Sequence, residues 1–169
     1  MRIEALEPAD WDRVRRIYLE GIATGQATFE TEAPSWEAWD EAHLPAPRLK
    51  AAAGSDLLGW TALSPVSRRA VYSGVAEVSI FVAERARGQG VGKALLSQLI
   101  RSSEVLGIWT LQSGIFVSNE ASIALHRACG FRLVGVRERI GCVRGVWHDV
   151  ALMERRSSRI GSAAEPTGG

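Results

Sequence analysis

The chain has 169 residues, 46% of them hydrophobic and 23% charged, with a formal net charge of +1. One domain with a substantial core is expected at this length, and the near-neutral balance gives no electrostatic case for nucleic acid or a membrane surface. No apolar run approaches the roughly 20 residues that span a bilayer, and the first residues, MRIEALEPADW, lack the apolar centre of a signal peptide, so a cytoplasmic protein is expected.

Arg2 to Leu6 predicts an edge strand that stops at Glu7-Pro8, where proline suits the first helical position. Trp11, Val14, Ile17, Tyr18 and Ile22 then recur at helical spacing, and Gly21 and Gly25 are expected to end that helix. The polar loop from Ala27 to Pro34 holds one large aromatic, Phe29, which either serves a pocket or tucks onto the core between two helices. Ser35 N-caps the next helix, carrying Trp36, Trp39 and His43. Arg48 to Ala53 and Asp56 to Leu63 form a hairpin around Gly54-Ser55. A loop from Pro65 to Gly74, with Arg68, Arg69 and Tyr72, delivers the chain to its central strand.

Glu77 to Val82 alternates, with Glu77, Ser79 and Phe81 on one side and Val78, Ile80 and Val82 on the other, leaving one side available for chemistry. Helical spacing begins near Lys93 and continues to Leu106. Gly107 punctuates, and Ile108 to Val117 predicts another strand. Asn119 to Ala128 is a short helix closed by Gly130-Phe131 in a left-handed cap. Phe131 to Arg139 and Val146 to Glu154 are the last strands, around a turn from Gly141 to Gly145. Residues 156–169 have little to bury and are expected to be disordered, which leaves one domain over residues 1–155. Cys129 and Cys142 show no CxxC pattern and the histidines are scattered, so reduced thiols and no metal are expected. The element order implies an α/β fold, a mixed sheet with helices on both faces.

The most informative stretch is the junction of central strand and helix. Gly88, Gly90 and Gly92 stand where the first helical turn leaves its N–H groups without partners and carries about half a positive charge. Arg85, Arg87 and Lys93 add cations, so a pyrophosphate is expected at residues 88–93. A flexible surface turn is the plainer alternative. A Walker A loop does not fit, because Arg87 stands where its first glycine belongs and Ala94 follows Lys93. The dinucleotide fingerprint fails on glycine spacing.

Arg-x-x-Gly-x-Gly after a strand and before a leucine-rich helix instead resembles the acetyl-CoA signature of the GNAT N-acetyltransferases. The run Asn119, Ser122, Leu125, His126, Gly130, Phe131 resembles a second segment of that family. Within it, the phosphinothricin and methionine sulfoximine N-acetyltransferases are similar through ATFETEAP, Arg69-x-x-Tyr72, Glu77-x-Ser79, Leu125-His126 and Gly145-x-Trp147-His148-Asp149. The resemblance covers roughly residues 1–155 and implies the GNAT fold, acetyl-CoA as cosubstrate, a small-molecule amine as acceptor and a homodimer. It places the cofactor on Ile80, Phe81, Val82, Arg87, Gly88, Gln89, Gly90, Val91, Gly92, Lys93 and Asn119. Phe29, Glu30, Arg68, Arg69, Tyr72, Glu77, Val78 and Ser79 would surround the acceptor, an arginine suiting its carboxylate or phosphinate.

The amine must be neutral to attack a thioester, which near pH 7 costs about 3–4 kcal/mol at 1.36 per unit, so a base is useful. The resemblance puts Glu77 in that role, against the alternative that it only solvates the strand end. His126 stands where many members carry a tyrosine acid, and it either donates a proton or lines the cleft. Other readings are a GNAT enzyme for a polyamine, an aminoglycoside or a protein N-terminus, and a CoA-binding domain without turnover.

Overall fold

Period-two and 3.6-residue spacing sort the chain as expected. Residues 1–161 are described by a computed structural model. In chain order they form β1 (Arg2–Ala5), α1 (Trp11–Ala23), α2 (Trp36–Ala42), β2 (Arg48–Ala53), β3 (Asp56–Pro65), β4 (Val75–Val82), α3 (Val91–Val105), β5 (Thr110–Phe116), α4 (Glu120–Ala128), β6 (Arg132–Val143) and β7 (Val146–Arg156). The strands make one sheet in the order β1-β2-β3-β4-β5-β7-β6. Its pairs are antiparallel except β4 with β5.

β4 separates two packed layers. Ala76, Val78 and Ile80 pack with Leu96 and Leu99 of α3 on one face. On the other, Phe81 stacks on Trp60 at 5.0 Å and meets Tyr18 of α1 edge-on at 4.7 Å. Trp11, Trp36 and Trp39 extend that aromatic layer over β3. Helices therefore cover both faces. Gly21 does not end α1 as expected; it lies inside the helix because a Cβ there would come within 2.6 Å of the Phe81 ring. The missing side chain lets α1 close on β4, and Gly25, at φ 68°, follows the helix end.

Two further boundaries differ from expectation. The last hairpin turns on Arg144 and Gly145, both at positive φ, which is the two-residue turn that matches strand twist. Gly141 is inside β6 instead of in the turn. The ordered chain also continues past residue 155. Ser157 is buried and its hydroxyl donates to Glu104 Oε1 at 2.8 Å, while Arg156 Nη1 donates to the Ile160 carbonyl at 2.9 Å. The expected tail therefore has polar anchors that apolar content did not reveal; its residues 162–169 lie outside those described. Among the described residues no helix is long and apolar enough to cross a membrane.

Candidate active site

The sheet opens where the signature strand ends. β4 and β5 pair over only three residues, Val75 to Glu77 against Thr110 to Gln112, and then separate, whereas β3 accompanies β4 all the way to Val82. The Ala83 amide donates to the Leu58 carbonyl at 2.9 Å and the Ser79 carbonyl accepts from Thr61 Oγ1 at 2.8 Å, both on the β3 side. Alternation then turns the backbone groups of Ile80 and Val82 toward the opened edge. Backbone hydrogen-bonding groups left on an inner strand need a partner.

Two cavities meet at this opening. One, of about 520 Å³, is lined by Ile80, Phe81 and Val82, by Arg87, Gly88, Gly90, Val91, Gly92 and Lys93, and by Asn119 and Leu125. Gly88 and Gly90 hold φ 72° and 80°, and an added Cβ at either would meet nothing within 4 Å. Glycine is needed there for its left-handed backbone, while the space in front stays open to a bulky anion. Gly92 lets α4 pack closely, because a Cβ there would stand 3.0 Å from the Leu125 side chain. Gln89 turns away, its side-chain amide donating to the Arg85 carbonyl at 2.7 Å, and does not line the cavity.

The second cavity, of about 490 Å³, shares Ala27, Ile80, Phe81, Asn119 and Ser122 with the first. Glu77, Val78 and Ser79 line it from β4, and Phe29 and Glu30 from the loop after α1. Glu77 is exposed, and Oε2 accepts from Gln112 Nε2 at 2.9 Å, which orients the carboxylate across the β4–β5 seam. Phe29 packs edge-on against Phe116 at 4.6 Å, and the backbone of Gly141 gives it room. It is thus held by the distal strands instead of lying between two helices. Tyr18 also lines this cavity; burial raises its phenol pKa, opposed by a bond with Thr28 and reinforced by the Glu30 charge.

His126 lies at the floor of the second cavity and is fully buried. Its Nδ1 is 2.8 Å from the Ser122 carbonyl, which can only accept, so Nδ1 carries the proton. Nε2 is then a lone pair, with no partner among the described residues. Burial lowers the imidazole pKa, partly offset by the Ser122 carbonyl. Desolvation disfavours the charged ring, so a neutral imidazole is favoured here over one that arrives protonated.

Arg68, Arg69 and Tyr72 do not join the site within this chain. They are exposed and line neither cavity, and the Arg69 guanidinium sits over the Tyr72 ring at 5.5 Å. The single turn at Ala70–Tyr72 folds the loop on itself. Sequence reasoning missed Tyr18, Gln112 and Arg137 as lining residues. Tyr18 reads as part of a core stripe, and Gln112 acquires meaning only once β5 lies beside Glu77.

Asn119 joins the cavities while capping α4, its Oδ1 accepting from the Ser122 amide at 3.1 Å. Cys129 and Cys142 are free thiols in separate elements. A family model described as acetyltransferase (GNAT) family matches residues 10–131. The phosphinothricin N-acetyltransferase of Alcaligenes faecalis is 33% identical over 165 residues, spanning 90% of this chain and 81% of the relative. An L-methionine sulfoximine/L-methionine sulfone acetyltransferase of Pseudomonas aeruginosa is 31% identical over 102 residues, 60% of this chain and 59% of the relative. Among solved structures, a GNAT superfamily phosphinothricin acetyltransferase from Sinorhizobium meliloti, in complex with AcCoA, superposes with a TM-score of 0.87 and 30% identity, covering 99% of this chain and 94% of that one.

Proposed function

Because the chain belongs to the GNAT acetyltransferase family and is an N-acetyltransferase, we propose that its donor is acetyl-CoA and its acceptor a small amino-acid-like amine of the phosphinothricin and L-methionine sulfoximine class. The observation that carries this reading is the meeting of the two cavities where β4 and β5 part. One offers glycines, amides and cations to a pyrophosphate; the other offers carboxylates to an ammonium. The names of the relatives support the acceptor class.

Acetyl-CoA supplies a thioester carbon and a thiol leaving group, and the rest of the chemistry falls to this chain. The amides of Gly88 to Lys93 hold the diphosphate with Arg87 and Lys93, and Asn119 lines the channel between them and the thioester. Backbone groups of Ile80 and Val82 on the open edge of β4 align the pantetheine arm and polarise the carbonyl at little reorganisation cost. The two substrates are bound together, and attack is direct.

Glu77, oriented by Gln112, takes the first ammonium proton to solvent. The second proton leaves nitrogen as the C–N bond forms and reaches sulfur as the C–S bond breaks, with His126, in the cavity lining, as the relay that a small side-chain movement would bring into reach. One proton leaves per turnover, and the products are the N-acetylated amine and free thiol. Glu77→Gln is expected to bind acetyl-CoA as the parent does and to lower kcat near neutral pH by about 10²-fold, the lower end for a positioned base. Parent-like turnover in calorimetrically competent Glu77→Gln removes Glu77 from the mechanism. Screening sulfoximine, phosphinate, polyamine and aminoglycoside acceptors by thiol release tests the substrate class.

A homodimer completes the reading. Leu133, Val134, Val136 and Ile140 of the edge strand β6, with Val146 and Trp147 of β7, are all exposed. Exposed apolar side chains concentrated on the edge strand and its neighbour favour a second copy. Sedimentation at micromolar concentration distinguishes dimer from monomer.

A further inference from the structure

The acceptor reading leaves one group unaccounted for: an amino acid carries a carboxylate as well as an amine, and the arginines expected to hold it are outside the cavity. β6 offers another. Arg137 pairs with Val150 of β7, paired residues project on the same face, and Val150 and Leu152 both line the second cavity. Two residues earlier on β7, His148 is opposite Gly141, so a four-residue advance along β6 is matched by two residues of β7 and the strand arches.

The arch is built in. Arg139 holds φ 43° and its amide donates to Asp149 Oδ1 at 2.7 Å. Arg137, Ile140 and Gly141 of the arched strand line the same cavity as Glu77 and Glu30.

The side chain of Arg137 makes no hydrogen bond or ion pair among the described residues, unlike those of Arg48, Arg132 and Arg155, each of which engages a carboxylate. It is also the one permanent cation among the described residues lining this cavity; Arg87 and Lys93 belong to the other. Carboxylates and a planar five-donor guanidinium lining one cavity suit a zwitterion, its ammonium to the former and its carboxylate to the latter.

We propose that Arg137, presented by the β6 arch into the acceptor cavity, binds the carboxylate of the amino-acid substrate and sets the preference for amino acids over simple amines. This rests on the acceptor class given above. Arg137 acts on binding and orientation and moves no proton.

The test compares the parent, Arg137→Gln and Arg137→Lys on L-methionine sulfoximine, whose carboxylate is its one full negative charge, and on its α-carboxamide, following thiol release. Acetyl-CoA affinity by calorimetry confirms that the cofactor cavity is intact in each variant. The parent is expected to prefer the carboxylate. Arg137→Gln raises KM for the carboxylate tenfold or more, about 1.4 kcal/mol, while KM for the carboxamide stays within twofold; Arg137→Lys recovers part of the loss. A parent that acetylates the carboxylate well and an Arg137→Gln variant with unchanged KM overturn the anchor and leave the acceptor class standing. Equal losses on both compounds also overturn it. A parent that acetylates neither compound overturns the acceptor class and the anchor together.

Discussion

At the scale of single residues, His126 carries an unusual balance of cost and use. An unpaired buried acceptor costs about 1–3 kcal/mol, and among the described residues His126 Nε2 has no partner. Replacing the ring by an apolar side chain removes that cost. His126→Leu is therefore expected to melt at or above the parent temperature while kcat falls by about 10²-fold. A lower melting temperature with intact turnover would mean that the ring is packing and nothing more. The pH sign follows from the same burial. With the folded pKa below its ordinary 6.5, the neutral acceptor form is present above pH 6.5 and lost as pH falls through the lowered value. The acid limb of kcat/KM assigned to His126 should lie below pH 6.5 and vanish in the leucine variant. No sequence pattern could show this, since the same histidine with Nδ1 free would be a different reagent.

At the scale of elements, the acceptor cavity depends on one close approach between a loop and a strand. Phe29 reaches the site because Gly141 has no side chain; a Cβ there would stand 2.5 Å from the ring. Gly141→Ala should displace Phe29 from Phe116, cost about 1–3 kcal/mol by overpacking and raise the acceptor KM. Phe29→Leu shortens the ring side, so Gly141→Ala in that background should cost markedly less. A double-mutant cycle reads the coupling, and equal penalties in both backgrounds would place the cause elsewhere. The glycine was visible in the sequence but was read as turn punctuation. Its partner is 112 positions away in the chain, and the real turn uses Arg144, a residue with no turn preference.

For the molecule as a whole, two buried carboxylates fasten the periphery to the sheet. Asp10 receives Lys50 Nζ at 2.6 Å and the Glu7 amide at 2.9 Å, with Arg13 also paired to it. Glu104 receives Arg155 and Ser157. Burial raises both pKa values, but the hydrogen bonds and cationic neighbours outweigh it, so both end below their ordinary 3.8 and 4.5. A lowered carboxylate contributes stability that is complete above its unfolded pKa and lost as pH falls through the folded one. Acid unfolding should therefore steepen below about pH 4.5. Ending the chain at Arg155 removes Ser157 and should lower stability at pH 7 by about 1.5–3 kcal/mol; denaturation midpoints of chains ending at 155 and 161 measure it. Equal midpoints would mean that the domain does end at 155.

Side-chain period and turn chemistry made most of the secondary elements and the two-faced sheet legible along the chain, together with the strand, glycine turn and helix that line the first cavity. These follow from local causes: side-chain period, the left-handed backbone of Gly88 and Gly90, and the unsatisfied amides of one helical turn. The sequence also placed Glu77 on the open side of its strand, because alternation needs no partner to be read. Which arginine lines the second cavity, that β4 and β5 part after three paired residues, and that Nδ1 of His126 meets the Ser122 carbonyl become legible only in the folded sheet. Each of those depends on register between strands or on a carbonyl met across space, and residues distant in the chain carry no mutual mark of such meetings until the sheet closes.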